Sequence, residues 1–502
     1  MKNSDYIVID TNNCEIPKEG SSIYESRKNV VELSNMNKEA LVSILVIAYN
    51  RIEKTKDCIE SILRYTYDVN YELVLVDNGS DDGTLDYFKS INYDNKKIIH
   101  ITKNLQLAFG ILQGTKYCNG MYIAFLNNDM IVTHNWLSNI MKCFYSDERI
   151  GMVCTTSSNI SNLQDANIRF NSIDEMQEKA KLFNVSDPRK WHERLRLITS
   201  GAVYKRECIE ICGNWDYGFF HDFSDDDLTF HIRRAGYKTI LCKDVFVHHN
   251  HDFSAMDNEA SLRYQKSLEK GRENFKNKYF GIDAWDDTNN FELNMIAMLN
   301  GPVHNSINVL GIDVKCGTPI LEVKNALREH DVFDTCLSSF TEDAKYYIDL
   351  KTVCEGLVFC DRIDYISEYY VEGSFDYILL GKSLNLYSEP FKVLTDILKL
   401  LNKNGQAILK LRNTNDIRCI SSLFGNVQDF DNEYPVSWTI ESFVDWISKL
   451  GYRLEKVVLE QHNMTSDYQN VIKQFCEQNN INQNSYNRLI TKDYIVSIVK
   501  ND

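Results

Sequence analysis

The stretch Ala124-Phe-Leu-Asn-Asn-Asp129 decides the reading of this chain, because an apolar strand runs into two amides and one lone carboxylate, Asp129, at its exit. Taken alone, a strand-end cap explains it as well as a ligand site does. Three other segments surround it in order: an Ala48-Tyr-Asn-Arg51 turn, a Val76-Asp-Asn-Gly-Ser80 turn and an Asp225-Asp-Asp227 cluster.

Upstream of Asp129, apolar runs alternate with helical periodicity: strands at 42–48, 71–76, 98–102 and 122–126, helices at 51–65, 84–90 and 107–117. That alternation predicts an α/β fold with a mostly parallel sheet covered by helices. In such a sheet ligands bind outside the carboxyl ends of the strands, where helix N-termini offer free backbone amides. Asn50 follows the first strand, Asp77 ends the second and Asp129 ends the fourth. Downstream, a polar stretch at 157–196 reads as a lid or acceptor loop between strands at 152–155 and 197–204. A helix at 225–235, a strand at 239–247 and a helix at 261–279 close the first domain. The acidic run Gly281-Ile-Asp-Ala-Trp-Asp-Asp-Thr-Asn-Asn290 reads as a boundary. Beyond it, strands at 307–312, 375–380, 405–411 and 494–499 and a helix at 390–401 predict a second Rossmann-like α/β domain. The expected organisation is an irregular extension over 1–40 with one short helix, a first domain over 41–285 and a second over 286–502.

The 502 residues are enough for at least two buried cores. A net charge of −16 argues against a nucleic-acid partner, which needs Lys and Arg in excess along a face. An anionic ligand must then meet a local site built from a cation or backbone amides. No apolar run approaches the roughly 20 residues of a membrane-spanning helix. The first residues lack a basic segment followed by an apolar one, so export is not expected. Fourteen cysteines are scattered singly without a Cys-x-x-Cys pair, the pattern of reduced thiols in a cytoplasmic protein.

Each candidate residue has a structural alternative. Asp77 opens a run rich in Asn-Gly and Asp-Gly, where a carboxylate can bind base or ribose or bond its own turn. Asn127, Asn128 and Asp129 make a weak all-oxygen set suited to Mg or Mn already carrying a diphosphate. In the helix at 225–235, Ser224 reads as an N-cap and Asp227 as its capping-box partner, which leaves Asp225 and Asp226 for chemistry. Repulsion among three carboxylates should raise at least one pKa, as a general base requires. His248-His-Asn-His251 follows a strand, where one neutral imidazole could complete a metal site.

Together these segments resemble the inverting family 2 glycosyltransferases of GT-A fold, over about Val42 to Gly281. The resemblance rests on Ile47-Ala-Tyr-Asn-Arg51, Leu75-Val-Asp-Asn-Gly-Ser80, Asn104 ahead of Gly114, Gly120-Met-Tyr-Ile-Ala-Phe-Leu-Asn-Asn-Asp129, Ser200-Gly-Ala202, Asp225-Asp-Asp-Leu228 and Asp244-Val-Phe-Val-His-His249. It implies that Ala48, Tyr49, Asn50, Arg51, Asp77, Asn104, Asn128 and Asp129 bind the nucleotide-sugar, most often a UDP-sugar. It further implies that Asp129 binds a divalent metal, Mn or Mg, together with His249 or His248, and that Asp225 is the catalytic base. The sequence departs from the family at Asn127, Ser224, His231, Gln106 and Leu112.

The second domain resembles S-adenosylmethionine (SAM)-dependent methyltransferases in Ser374-Phe-Asp-Tyr-Ile-Leu-Leu380, Pro390-Phe-Lys-Val-Leu394 and Leu401-Asn-Lys-Asn-Gly405. Its cofactor loop, Val309-Leu-Gly-Ile-Asp-Val-Lys-Cys-Gly-Thr-Pro319, carries Lys315 and Pro319 where closely spaced glycines let a backbone approach its ligand. SAM binding is therefore not expected, and this half reads as a non-catalytic module for acceptor binding or homo-oligomerisation. The resemblances imply an inverting, metal-dependent transferase of a sugar such as GlcNAc. The hydroxyl acceptor would be on Ser or Thr of a surface protein such as flagellin, or on a surface glycan. The alternatives are a bifunctional glycosyltransferase and sugar methyltransferase, and a non-catalytic nucleotide-sugar-binding protein.

Overall fold

Strand β2 (Glu39–Ala48) carries the unbroken run Val-Ser-Ile-Leu-Val-Ile-Ala over 42–48, and every one of those residues is buried. Such a run suits a parallel strand covered on both faces. In the computed structural model, which describes residues 5–15, 18, 20, 39–219, 222–251, 258–302, 304–422 and 437–501, β2 is indeed central. It pairs in parallel with β3 (Tyr71–Asp77) on one side and β5 (Gly120–Asn127) on the other. Its alternate residues feed two cores: Ile44, Val46 and Ala48 face one, Leu45 and Ile47 the other.

The chain divides into two compact units, Met1–Asn289 and Asn290–Asp502. The first holds a ten-stranded sheet in the order β1-β4-β3-β2-β5-β9-β7-β10-β6, with β8 pairing β10. Here β1 is Tyr6–Ile9, β4 Lys96–Ile101, β6 Met130–Ile131, β7 Ile150–Ser157, β8 Trp191–Glu193, β9 Ala202–Lys205 and β10 Lys238–His249. Strands β1 to β5 are mutually parallel, whereas β9 runs antiparallel between β5 and β7. Within the leading stretch expected to be irregular, β1 adds a parallel edge to β4, with Tyr6 opposite Ile98. A single 3-10 turn, Thr11–Asn13, follows β1 among the described residues of this stretch. The polar stretch at 157–196 is also more ordered than expected, containing a helix, Ile173–Phe183, and the strand β8.

The second unit holds a seven-stranded sheet in the order β13-β12-β11-β14-β15-β17-β16. Its strands are β11 (Ser306–Ile312), β12 (Asp334–Thr341), β13 (Val358–Cys360), β14 (Phe375–Leu380), β15 (Leu401–Arg412), β16 (Tyr452–Gln461) and β17 (Thr491–Lys500). The strands from β13 to β15 are parallel; β17 is inserted antiparallel between β15 and β16. This is a Rossmann-like sheet whose strand order reverses between β11 and β14.

Candidate active site

The carboxyl ends of β2, β3 and β5 open into a cleft of about 830 Å³ in the first unit. Tyr49, Arg51, Asn104, Asn127, Asn128, Asp129, Asp225 and His249 all line it.

The turn after β2 sets its rim. Asn50 and Arg51 both adopt left-handed backbone conformations, φ 55° and 62°. Two such residues in succession are costly for non-glycine side chains and persist only where neighbours hold them. The Asn50 N–H donates to Ser80 Oγ at 2.9 Å, and its side-chain oxygen accepts from the Asp81 N–H at 3.0 Å. Its carbonyl accepts from Asn128 Nδ2, also at 2.9 Å. Asn50 therefore welds three loops together without lining the cleft, while Tyr49, 49% exposed, and Arg51 project into it. Ala48, also read as a nucleotide contact, is buried, with its carbonyl accepting from the Asn78 N–H at 2.8 Å.

Asp77 bonds its own turn and His100. It is fully buried; one oxygen accepts from the Ser80 N–H at 3.0 Å and the other lies 2.6 Å from His100 Nδ1. Asn78 rather than Asp77 lines the cleft, and its amide donates to Asn104 Oδ1 at 3.1 Å. Gly79 makes this close approach feasible: at φ 82°, a Cβ there would stand 2.6 Å from the Asn104 nitrogen.

Asp129 lies on the tight turn between β5 and β6. Because β6 pairs antiparallel with the end of β10, with Met130 opposite His249, the turn is carried against the histidine run. The Asn250 N–H donates to the Asp129 carbonyl at 2.8 Å, closing the junction. His249 Nε2 is 3.4 Å from one Asp129 oxygen, and His251 Nδ1 is 3.4 Å from the other. Arg51 Nη1 is 3.6 Å from the second oxygen. Burial alone would raise the Asp129 carboxyl, but hydrogen bonding and charge from His249 and His251 hold it below the usual carboxylate value. Asp129 Oδ1 is nonetheless buried and, with His249 Nε2 at 3.4 Å, lacks a well-formed hydrogen bond. Such an atom costs about 1–3 kcal/mol unless something else, such as a cation, satisfies it. The donor set, one carboxylate and two imidazoles with ligand atoms all within 4.8 Å of one another, fits a divalent metal.

His248 faces the other way, as alternation along a strand requires. Its Nδ1 meets Ser158 Oγ, and its ring stands edge-on to Phe170. Burial, then the neighbouring His249 and Lys54, push it down to about 4.

The three aspartates after Phe223 separate in role. Phe223, in a left-handed conformation, is the N-cap of the helix Ser224–Arg234, so Ser224 is the first helical residue and not the cap expected. Asp227 accepts from Tyr279 OH at 2.7 Å and pairs with Lys278 at 2.5 Å. Asp226 is buried against Arg196; burial raises its carboxyl, Arg196 opposes that, and Asp227 adds to the rise. Repulsion is thus the lesser cause. Asp225 is half-buried on the cleft wall, and its Oδ1 accepts from Thr199 Oγ1 at 2.7 Å.

Sequence reasoning missed Thr199, Arg196 and His251. His251 had a legible signal, since 249 and 251 alternate onto one side of an extended chain. Thr199 had none, because it reaches Asp225 only through folding.

In the second unit, Asp313 ends the β11 loop at the point where strand order reverses. Its carboxylate accepts from Tyr387 OH at 2.6 Å and from the Glu342 N–H at 2.9 Å. Burial raises this carboxyl above its usual value, against the Tyr387 bond. Lys382 lies 4.4 Å above the Tyr387 ring and 3.5 Å from Glu342. These groups are engaged with one another, and Lys315 (φ 56°) stands in the loop after β11.

The first unit is thus an α/β fold with a metal-ready corner and an acidic wall. Residues 43–209 match the family model of glycosyl transferase family 2, and the chain carries a glycosyltransferase domain of that family. Among curated relatives, hyaluronan synthase of Pasteurella multocida is 26% identical over 224 residues, 43% of this chain and 22% of that protein. Chondroitin synthase of Pasteurella multocida (strain Pm70) is 24% identical over 280 residues, 53% of this chain and 27% of that protein. The chain thus spans less than a third of the length of these relatives. Among solved structures it is similar to a mannosyltransferase of Pyrobaculum calidifontis in complex with GDP-Man and Mn2+, at 16% identity and a TM-score of 0.36, covering 51% of this chain and 70% of that one. It is also similar to a SAM-dependent methyltransferase of Archaeoglobus fulgidus, at 15% identity and a TM-score of 0.29, covering 45% and 98%. No helix among the described residues is long and apolar enough to cross a membrane.

Proposed function

We propose that the cleft transfers a sugar from a UDP-sugar, such as UDP-GlcNAc, to a hydroxyl acceptor with inversion at the anomeric carbon. One observation carries this reading: Asp225, held by Thr199, and the Asp129–His249 corner line the same cleft. Tyr49, Asn104 and Asn128 line the nucleotide end, with Ala48, Asn50 and Asp77 shaping it from behind. Asp129 and His249 would hold Mn or Mg, which when bound supplies charge to stabilise the departing diphosphate. Arg51, beside Asp129, is placed to receive phosphate oxygens in a bidentate fork.

In the step itself, Asp225 accepts the proton of the acceptor hydroxyl, and the freed electron pair attacks the anomeric carbon opposite the leaving group. The carbon–oxygen bond to the diphosphate breaks, and its electrons leave with UDP. The acceptor class we favour is Ser or Thr of a surface protein such as flagellin, or a surface glycan. The cysteines, scattered singly along the sequence without a Cys-x-x-Cys pair, support a reducing, cytoplasmic setting. The second unit serves in this reading as a non-catalytic module for acceptor binding or self-association, supported by the engaged Asp313 crevice.

Screening nucleotide-sugars with the full chain and Mn2+, with mass spectrometry of the released sugar or glycosylated product, tests the proposal. Release of UDP from at least one UDP-sugar is expected. Tight UDP binding with no turnover of any donor would favour a non-catalytic binding protein instead.

A further inference from the structure

The metal-dependent reading above uses Asp129 and His249; the structure supplies a third donor beside them. After β10 ends at His249, the chain is clamped at Asn250, whose N–H donates to the Asp129 carbonyl and whose carbonyl accepts from Lys54 Nζ. Asn250 therefore turns its main chain toward its neighbours while His249 and His251 share one side. Their rings stand 5.4 Å apart between centroids. His249 presents Nε2 and His251 presents Nδ1, each 3.4 Å from a different oxygen of Asp129. Ligands held about 2.1 Å from one tetrahedral cation lie roughly 3.4 Å apart, so a small cation fits among these atoms with little rearrangement.

We infer that the cation site of this cleft has three protein ligands, Asp129, His249 and His251, and that it selects a transition-metal ion such as Mn2+ or Co2+ over Mg2+ and holds it before the donor arrives. The chemistry follows from the ligand types. A single carboxylate with amide oxygens binds a cation weakly and waits for the diphosphate to complete the shell. Two imidazoles change that balance, because imidazole suits first-row transition metals, whereas Mg2+ demands near-octahedral oxygen and keeps its waters. Three protein donors also leave coordination positions open, and diphosphate oxygens are the natural occupants. The buried Asp129 Oδ1, short of a well-formed hydrogen bond, leaves an acceptor that a positive ligand would satisfy.

The inference rests on the proposed function only for the identity of the diphosphate. It is tested on the full chain without nucleotide, by calorimetric titration with MnCl2, CoCl2 and MgCl2 and by pulsed EPR of bound Mn2+ to count coupled imidazole nitrogens. One Mn2+ per chain with two coupled nitrogens is expected, with Mg2+ at least about tenfold weaker. His251→Ala and His251→Gln should each weaken Mn2+ at least about tenfold and leave one coupled nitrogen, with circular dichroism unchanged. Unchanged Mn2+ affinity and a single nitrogen in both wild type and variants would overturn the three-ligand site while leaving the Asp129–His249 site standing. Absence of Mn2+ binding to the wild type, with and without UDP, would overturn both.

Discussion

His248 and His249 are adjacent, yet one is a packing residue and the other faces Asp129. The difference follows from strand alternation and has a measurable consequence. In the unfolded chain His248 takes a proton near pH 6.5; folded, it is held at about 4 by burial and by its cationic neighbours. Between those values the unfolded state binds more protons, so stability falls as pH drops from 6.5 and the loss is complete below about 4. His248→Gln should flatten this part of the Tm-against-pH curve measured by calorimetry; a curve of unchanged slope would refute the assignment. At this scale the sequence carried much of the site. Tyr49, Arg51, Asn104, Asn128, Asp129, Asp225 and His249 all reach the cleft lining. Asp77 does not, because its turn and His100 claim both oxygens.

At the scale of elements, long apolar strands were legible because strands covered on both faces need unbroken apolar runs. The short ones were not. β1 is four residues and β6 two, and both exist only through pairing with distant strands. β12, with Thr335, Ser338, Ser339 and Thr341, and β16, half-exposed at the sheet edge, lack the apolar density that would betray them. The helix Asn258–Lys278 was read, but its purpose was not. Its Lys278 is 8% exposed and pairs with Asp216 at 2.6 Å and with Asp227 at 2.5 Å, fastening it to the helix that presents Asp225. Lys278→Met removes the cation shared by two buried carboxylates and should cost about 3–5 kcal/mol in urea denaturation. A loss under about 1 kcal/mol would mean that the pair is solvated and the fastening is weak.

At the scale of the whole molecule, the chain holds a unit that matches glycosyl transferase family 2 over residues 43–209 and a second, Rossmann-like unit, each with its own sheet. Fold alone does not make the second unit an enzyme. The decisive feature is local: Tyr387 and the Glu342 backbone occupy the Asp313 carboxylate. Calorimetric titration with SAM should show no binding at millimolar cofactor. Micromolar binding would mean that Tyr387 yields its place and would revive the bifunctional reading. Sequence could raise this question from Lys315 and Pro319, but it could not reveal Tyr387, which lies far along the chain from the loop it meets.

The central claim is that Asp225 deprotonates an acceptor in direct displacement. The most direct test couples turnover with stereochemistry: UDP release and the NMR anomeric configuration of the product, for wild type and Asp225→Asn, in the presence of Mn2+. The account predicts a product of configuration opposite to the donor, and a fall of about 10²- to 10⁴-fold in kcat for Asp225→Asn with UDP affinity preserved. A product that retains the donor's configuration, or an Asp225→Asn enzyme turning over at the wild-type rate, would contradict it.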